Sequence, residues 1–263
     1  MIKTDVIDQI ALELYEAEKQ KKSVNKFVEA YPELDEALAY EVQERLIEMK
    51  CKAETTKRIG RKLGLTSKAK QEMMGVHEPS YGVLLENMQL FEGERISLAP
   101  FIHAKLEPEI AFVFNKEITG PHVTVADVLA ATEYVAPALE IIDSRFQGFS
   151  FTLPDAVADN SSSSRFIIGE RFYSPDQFDL KLMGMVFKQN GEVVATGAGA
   201  AVMGHPARAI AWMANRLYKV GQNIQPGEVV LSGSLSAAIK IEAGDYFSAS
   251  FDGLGSVEAV FTE

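Results

Sequence analysis

The sequence predicts an α+β fold, in which N-terminal helices pack on a strand-rich mixed β core. Two observations carry this. Over residues 4–50 apolar side chains recur every three to four positions, the repeat of an amphipathic helix. From about residue 58 short apolar runs alternate with turn residues, the texture of strands. A division there gives a helical region over 1–57 and a strand-rich core over 58–263.

The elements follow in order. Val6, Ile10, Leu14 and Ala17 form one helical stripe, and Leu34, Leu38, Val42, Leu46 and Met49 form a second. Pro32 separates them, because the residue before a proline avoids the helical region. Strands are expected over 109–114, 135–142, 183–187, 193–197, 228–231 and 246–251, with a hairpin turn at Asn190-Gly191, which tolerates positive φ. Two helices interrupt them. One follows Thr124, with Asp127 placed to complete a capping box. The other starts at Pro206, carries Ile210, Met213 and Leu217 on one face, and stops by Gly221.

Composition removes several function classes. A formal charge of −11 argues against nucleic acid, since phosphate binding needs clustered Lys and Arg. The basic clusters Lys19–Lys22 and Lys57–Arg61 are short and flanked by acids. Cys51 is the single cysteine, so no internal disulfide forms. No run of about 18 apolar residues marks a membrane span. The first 22 residues carry acids throughout and lack the apolar stretch of a secretory signal, so a cytoplasmic protein is expected. His77, His103 and His122 show no metal-ligand spacing, which disfavours zinc.

The most informative segment runs from Lys105 to Phe114. If it is extended, Glu107 and Glu109 point to one face, because side chains on a strand alternate. Two like charges on one face of an apolar strand repel and desolvate poorly. A hard divalent cation such as Mg²⁺ or Mn²⁺ resolves the conflict. The alternative is a solvated edge strand, favoured by Pro108, which cannot donate in a central ladder. Glu140 sits in a second apolar run, Val135 to Ile142, with no Arg or Lys inside it. It is either a third ligand or an acid paired with a lysine from elsewhere. Arg145 is positioned to pair with Asp143.

Several strings resemble one family. Gly60-Arg61-Lys62-Leu63-Gly64-Leu65-Thr66-Ser67, Glu107-Pro108-Glu109, Ala138 to Arg145, Val157 to Ser162, Gly204-His205-Pro206, Leu231-Ser232-Gly233 and Gly253 to Val257 are similar to the hydratase/decarboxylase family of the fumarylacetoacetate hydrolase-like superfamily. The match runs in the same order over nearly the whole chain. It implies meta-cleavage catabolism, Mg²⁺ or Mn²⁺ held by Glu107, Glu109 and Glu140, a catalytic Lys62, and substrate contacts from Leu65, Ser80, Ser161 and Arg165. It further implies a homo-oligomer and a complex with the hydratase of the same pathway.

Three departures separate the branches of this family. Hydratases carry an acid in a Pro-Asp-Phe-Gly stretch, where this chain has Pro79-Ser80-Tyr81-Gly82. The Arg145-Phe146-Gln147 and Ser163-Ser164-Arg165 segments also resemble the decarboxylase form. The implied reaction converts 2-oxohex-3-enedioate to 2-hydroxypenta-2,4-dienoate and CO₂, with hydration of the dienoate as the alternative. Arg165 suits a dianionic small 2-oxo dicarboxylic acid, since a guanidinium grips a carboxylate bidentately. Read locally, Lys62 is a surface lysine or a buried ammonium that orients substrate or delivers a proton. Ser161 lines the pocket or caps a turn, and His205 is read as a helix-start residue. A C–C hydrolase needs a base such as a His–Glu pair, which four histidines do not supply convincingly. A non-catalytic ligand-binding protein is the remaining alternative.

Overall fold

The computed structural model describes residues 4–263. Helices α1 (Thr4–Gln20), α2 (Phe27–Ala30) and α3 (Glu36–Ala53) come first. Asp35 opens α3 by accepting the Leu38 N–H at 2.9 Å, an N-cap contact. The strands are β1 (Arg58–Gly64), β2 (Ser80–Leu85), β3 (Gln89–Leu90), β4 (Arg95–Ser97), β5 (Lys105–Phe114), β6 (Thr132–Ile142) and β7 (Ser163–Ile168). They continue with β8 (Gly184–Gln189), β9 (Glu192–Ala198), β10 (Val229–Leu231), β11 (Ile239–Lys240), β12 (Tyr246–Phe251) and β13 (Gly255–Thr262). Helices α4 (Lys68–Met74), α5 (Val125–Ala131), α6 (Leu153–Ala158) and α7 (Pro206–Tyr218) lie between them.

Two mixed sheets form. The larger runs β2-β1-β10-β5-β6-β7-β3, with β11 also beside β5, and the smaller runs β4-β13-β12-β8-β9. β1 and β10 are parallel, while β5 and β6 are antiparallel over almost their whole length. Phe112, Leu139, Phe187, Phe247 and Phe261 are buried in one core with the apolar face of α7. The opposite face of the larger sheet is covered by α3, where Ile47 joins Val83, Ala111, Ala138 and Phe166. Leu14, Leu46, Phe146 and Val157 knit α1 and α3 to the segment after β6. Gln43 of α3 donates to the Tyr81 and Val157 carbonyls at 3.0 and 2.8 Å.

The caps read from sequence are present. Thr124 and Asp127 form the capping box of α5, and His205 Nδ1 accepts the Ala207 N–H at the start of α7. Asn190 and Gly191 take positive φ at the β8–β9 turn, as the hairpin requires.

Pro108 does not mark an edge. β5 lies between β6 and the interrupted β10–β11 side, and the Pro108 carbonyl accepts from Leu235 N–H at 3.0 Å. The N and carbonyl of one strand residue face the same way, so the missing donor falls on the interrupted side and the β5–β6 ladder is intact. Arg145 also differs from expectation. Its guanidinium pairs with the buried carboxylate of Asp159 and donates to the Asp143 backbone carbonyl at 2.8 Å. The Asp143 carboxylate instead accepts the Ile102 and His103 N–H groups, both at 2.8 Å. Two backbone donors offer a carboxylate fixed partners that a long side chain matches only by losing rotamer freedom. Among the described residues no helix is long and apolar enough to cross a membrane.

Candidate metal centre

The antiparallel register of β5 and β6 sets Glu107 directly opposite Glu140 and Glu109 opposite Ala138. Opposed residues share a face, and alternation along β5 adds Glu109 to it. One oxygen from each of Glu107, Glu109 and Glu140 therefore lies within 4.8 Å of the others. Glu109 and Glu140 are fully buried and Glu107 nearly so.

Each acid is held from a different direction. Gly233 N–H donates to Glu109 Oε2 at 2.6 Å, from a backbone at φ +107° that favours glycine. Ser163 Oγ donates to Glu140 Oε1 at 2.9 Å, and Lys62 Nζ lies 3.0 Å from Glu140 Oε2. Glu109 Oε1 is buried with no hydrogen-bond partner. Burial, then the charges of Glu140 and Glu107, push the Glu109 pKa well above the carboxylate range. Glu140 is also raised, by burial against the attraction of Lys62. Burial pulls Lys62 down, but Glu140, Glu107 and Glu109 more than offset it, so its ammonium is held protonated. Three converging carboxylates with one lysine leave excess negative charge in a dry place. This donor set fits a hard divalent cation with positions left for a chelating ligand.

Lys62 reaches the cluster from β1, which pairs with β10 and β2 rather than with β5 or β6. Its second partner is the Ser161 carbonyl at 3.1 Å. That carbonyl is aimed by an uncommon turn, since Asn160, Ser161 and Ser162 all have φ between 50° and 57°. Consecutive left-handed non-glycine residues cost roughly 1–2 kcal/mol each and need external support. The support comes from Asn160, whose amide accepts from Val83 N–H at 2.7 Å and donates to the Val83 carbonyl at 2.9 Å. Gly82 makes room: a Cβ there would lie 2.5 Å from the Asn160 carbonyl.

A cavity of about 460 Å³ opens beside the cluster. Lys62, Leu65, Ser80, Glu107 and Ser161 line it, so five of the residues singled out in the sequence meet there. Ser80 and Ser161 hydroxyls are 3.2 Å apart. Arg165 does not line the cavity. It stands opposite Ile141, one step out of phase with Glu140, and its guanidinium donates to the Ser164 carbonyl at 2.7 Å. Sequence reasoning passed over Lys105, Phe149 and Phe151 as lining residues, and all three line the cavity. Lys105 shares the parity of Glu107 and Glu109, a signal available in the sequence. The aromatic pair sits on a loop with no such period.

The chain matches Fumarylacetoacetate (FAA) hydrolase C-terminal over residues 51–262. It is 40% identical over 252 residues to 4-oxalocrotonate decarboxylase of Pseudomonas putida, covering 96% of this chain and 95% of that protein. It is equally identical, 40% over 252 residues, to 2-hydroxyhexa-2,4-dienoate hydratase of Comamonas testosteroni, with 95% of each covered. The structure superposes on that of 4-oxalocrotonate decarboxylase from Pseudomonas putida G7, complexed with magnesium and adipate, with a TM-score of 0.96, 39% identity and 99% of each chain covered. The chain belongs to the fumarylacetoacetate hydrolase C-terminal family, within the group of its hydratases and decarboxylases.

Proposed function

We propose that this chain is a lyase that decarboxylates 2-oxohex-3-enedioate to 2-hydroxypenta-2,4-dienoate and CO₂, with Mg²⁺ or Mn²⁺ held by Glu107, Glu109 and Glu140. Relatives carrying the hydratase and the decarboxylase names are equally identical, so identity alone does not choose between them. One observation favours decarboxylation. Glu107 is the only acid among the described residues that line the cavity, and the other ionisable groups there are Lys62 and Lys105. Adding water to a diene needs a group that takes a proton from water, and Ser80 cannot do so unaided. Losing CO₂ from a vinylogous β-keto acid needs only a sink for the electrons left behind. A bound divalent cation supplies that sink as a Lewis acid at the C2 oxygen.

The chain's own groups do the rest. Lys62, held protonated by Glu140 and the Ser161 carbonyl, offers positive charge where negative charge builds up, and a proton for the product. Ser80 and Ser161 supply hydroxyls to orient the 2-oxo acid. Leu65, Phe149 and Phe151 give the unsaturated carbons an apolar wall that excludes water. The solved relative's adipate, a six-carbon dicarboxylate, supports a substrate of this length. Family resemblance supports a cytoplasmic homo-oligomer that also binds the pathway hydratase, which sedimentation of the purified chain with and without that hydratase would check.

The test follows CO₂ and dienoate together from 2-oxohex-3-enedioate, with Mg²⁺ and with chelator. Metal-dependent CO₂ release with dienoate accumulating is the expected result. Absence of CO₂, with added dienoate consumed to 4-hydroxy-2-oxopentanoate, would make the chain a hydratase instead.

A further inference from the structure

We propose that Lys105 is the receptor for the distal carboxylate of a dianionic 2-oxo acid, and so sets the choice of dicarboxylates over monocarboxylates. The inference rests on the reading of the cavity as a 2-oxo acid site beside the three glutamates.

Alternation along β5 puts Lys105, Glu107 and Glu109 on one face. Residues two apart on a strand are separated by about 6.6 Å. A six-carbon dioate advances roughly 1.2 Å per bond when extended, hence about 6 Å between its terminal carbons. A substrate whose 2-oxo acid end lies at the glutamates therefore ends beside Lys105 if it runs along the strand. Register and chain length agree.

Charge points the same way. Lys62 and Lys105 are the cations among the described residues lining the cavity, and Lys62 is committed to Glu140 and the Ser161 carbonyl. Lys105 forms none of the ion pairs found among the described residues. Its ammonium instead lies 3.9 Å from the centroid of the Phe149 ring. A ring face holds an ammonium without neutralising it, so the charge stays available to an anion. Phe149 is itself fixed: Gly148 and Phe149 both take left-handed φ, and the ring packs on His103 and Phe151 at 5.1 and 5.9 Å. The loop thus holds the lysine over the cavity. Arg165 lacks this placement, being out of phase with Glu140 and absent from the lining.

The contact has a kinetic signature. The carboxylate gripped here is the one that departs as CO₂, so its charge, and the attraction to Lys105, diminish toward the transition state. Such a contact contributes to substrate binding more than to the chemical step.

The experiment measures calorimetric affinities of the Mg²⁺-loaded protein for 2-oxoadipate and 2-oxohexanoate, which share a chelating end and differ at the far end. Wild type should prefer 2-oxoadipate by about 10- to 100-fold, the range of one charge-assisted hydrogen bond. Lys105→Met should erase that preference by weakening 2-oxoadipate alone, Lys105→Arg should keep most of it, and Arg165→Met should keep it. With 2-oxohex-3-enedioate, Lys105→Met should raise KM by the same factor while kcat stays level or rises. Preference surviving in Lys105→Met, lost in Arg165→Met, or accompanied by equal weakening of both ligands would overturn the assignment to Lys105. A wild type without preference would overturn the dicarboxylate reading as well, and that outcome is distinct from the others.

Discussion

Replacing Glu109 by Gln should move stability in opposite directions with and without metal. The oxygens of Glu107, Glu109 and Glu140 lie within 4.8 Å of one another. At an effective dielectric of about 20, two charges at that distance repel by about 3 kcal/mol. An acid whose pKa is raised well above the carboxylate range stays protonated rather than meet those repulsions, at a cost in folding free energy of up to about 3 kcal/mol at pH 7, and Glu109→Gln removes that cost. The amide oxygen still accepts from Gly233, and the new N–H₂ meets carboxylates that accept hydrogen bonds. Allowing for the cost of burying the amide, about 2 kcal/mol remains. For a chain of this size that is roughly a 4–8 °C rise in the melting temperature of the metal-free protein. The same change deletes a proposed ligand, so the rise in melting temperature expected of wild type with Mg²⁺ should be absent in the variant. Thermal melts with chelator and over a Mg²⁺ titration read both effects. A lower metal-free melting temperature, or an undiminished response to Mg²⁺, would refute the view that these acids are a strained site completed by a cation.

Other outcomes follow from the same geometry. Lys62→Met should lower kcat by about 10²–10³, the size of losing one preorganised electrostatic group, while Mg²⁺ binding by calorimetry persists. Gly82→Ala should push the Asn160 carbonyl away from a Cβ that would lie 2.5 Å from it, destabilising by about 1–3 kcal/mol and lowering kcat as the Ser161 carbonyl leaves Lys62. Glu18 of α1 reports on acid stability. Burial raises its pKa, but Lys50 at 2.8 Å and Arg145 lower it more, from 4.5 to about 2. Its contribution, at most about 3 kcal/mol, is full above pH 4.5 and is lost as pH falls toward 2. Glu18→Gln should therefore flatten the fall in melting temperature over that window, and an unchanged slope would count against the pair.

What the sequence revealed depended on period. Glu107 and Glu109 were legible because alternation on a strand is strict, and Glu140 because an acid inside an apolar run needs a partner. The helices declared themselves through stripes and caps. β1 did not: Arg58-Ile59-Gly60-Arg61-Lys62 carries three cations and no apolar alternation, and its buried basic side chains find their partners in Glu228 and Glu140. Those partners come from distant parts of the chain, where no local pattern reaches. The left-handed turn at 160–162 was equally hidden, since the Val83 backbone that stabilises it lies 77 residues away. Pro108 misled by a general rule, because the neighbouring strand is interrupted where its nitrogen lies. Lys105 shares the parity of the glutamates, yet only the cavity shows why that matters.

Three buried glutamates and Lys62 are proposed here to serve decarboxylation. That role is read by counting CO₂ released per molecule of 2-oxohex-3-enedioate by chelated enzyme before and after Mg²⁺ is restored, with Glu140→Gln alongside. Negligible release under chelator, one CO₂ per substrate with matching dienoate on restoring metal, and no recovery in Glu140→Gln are expected. Equal CO₂ release with and without metal, or full recovery in Glu140→Gln, would contradict it.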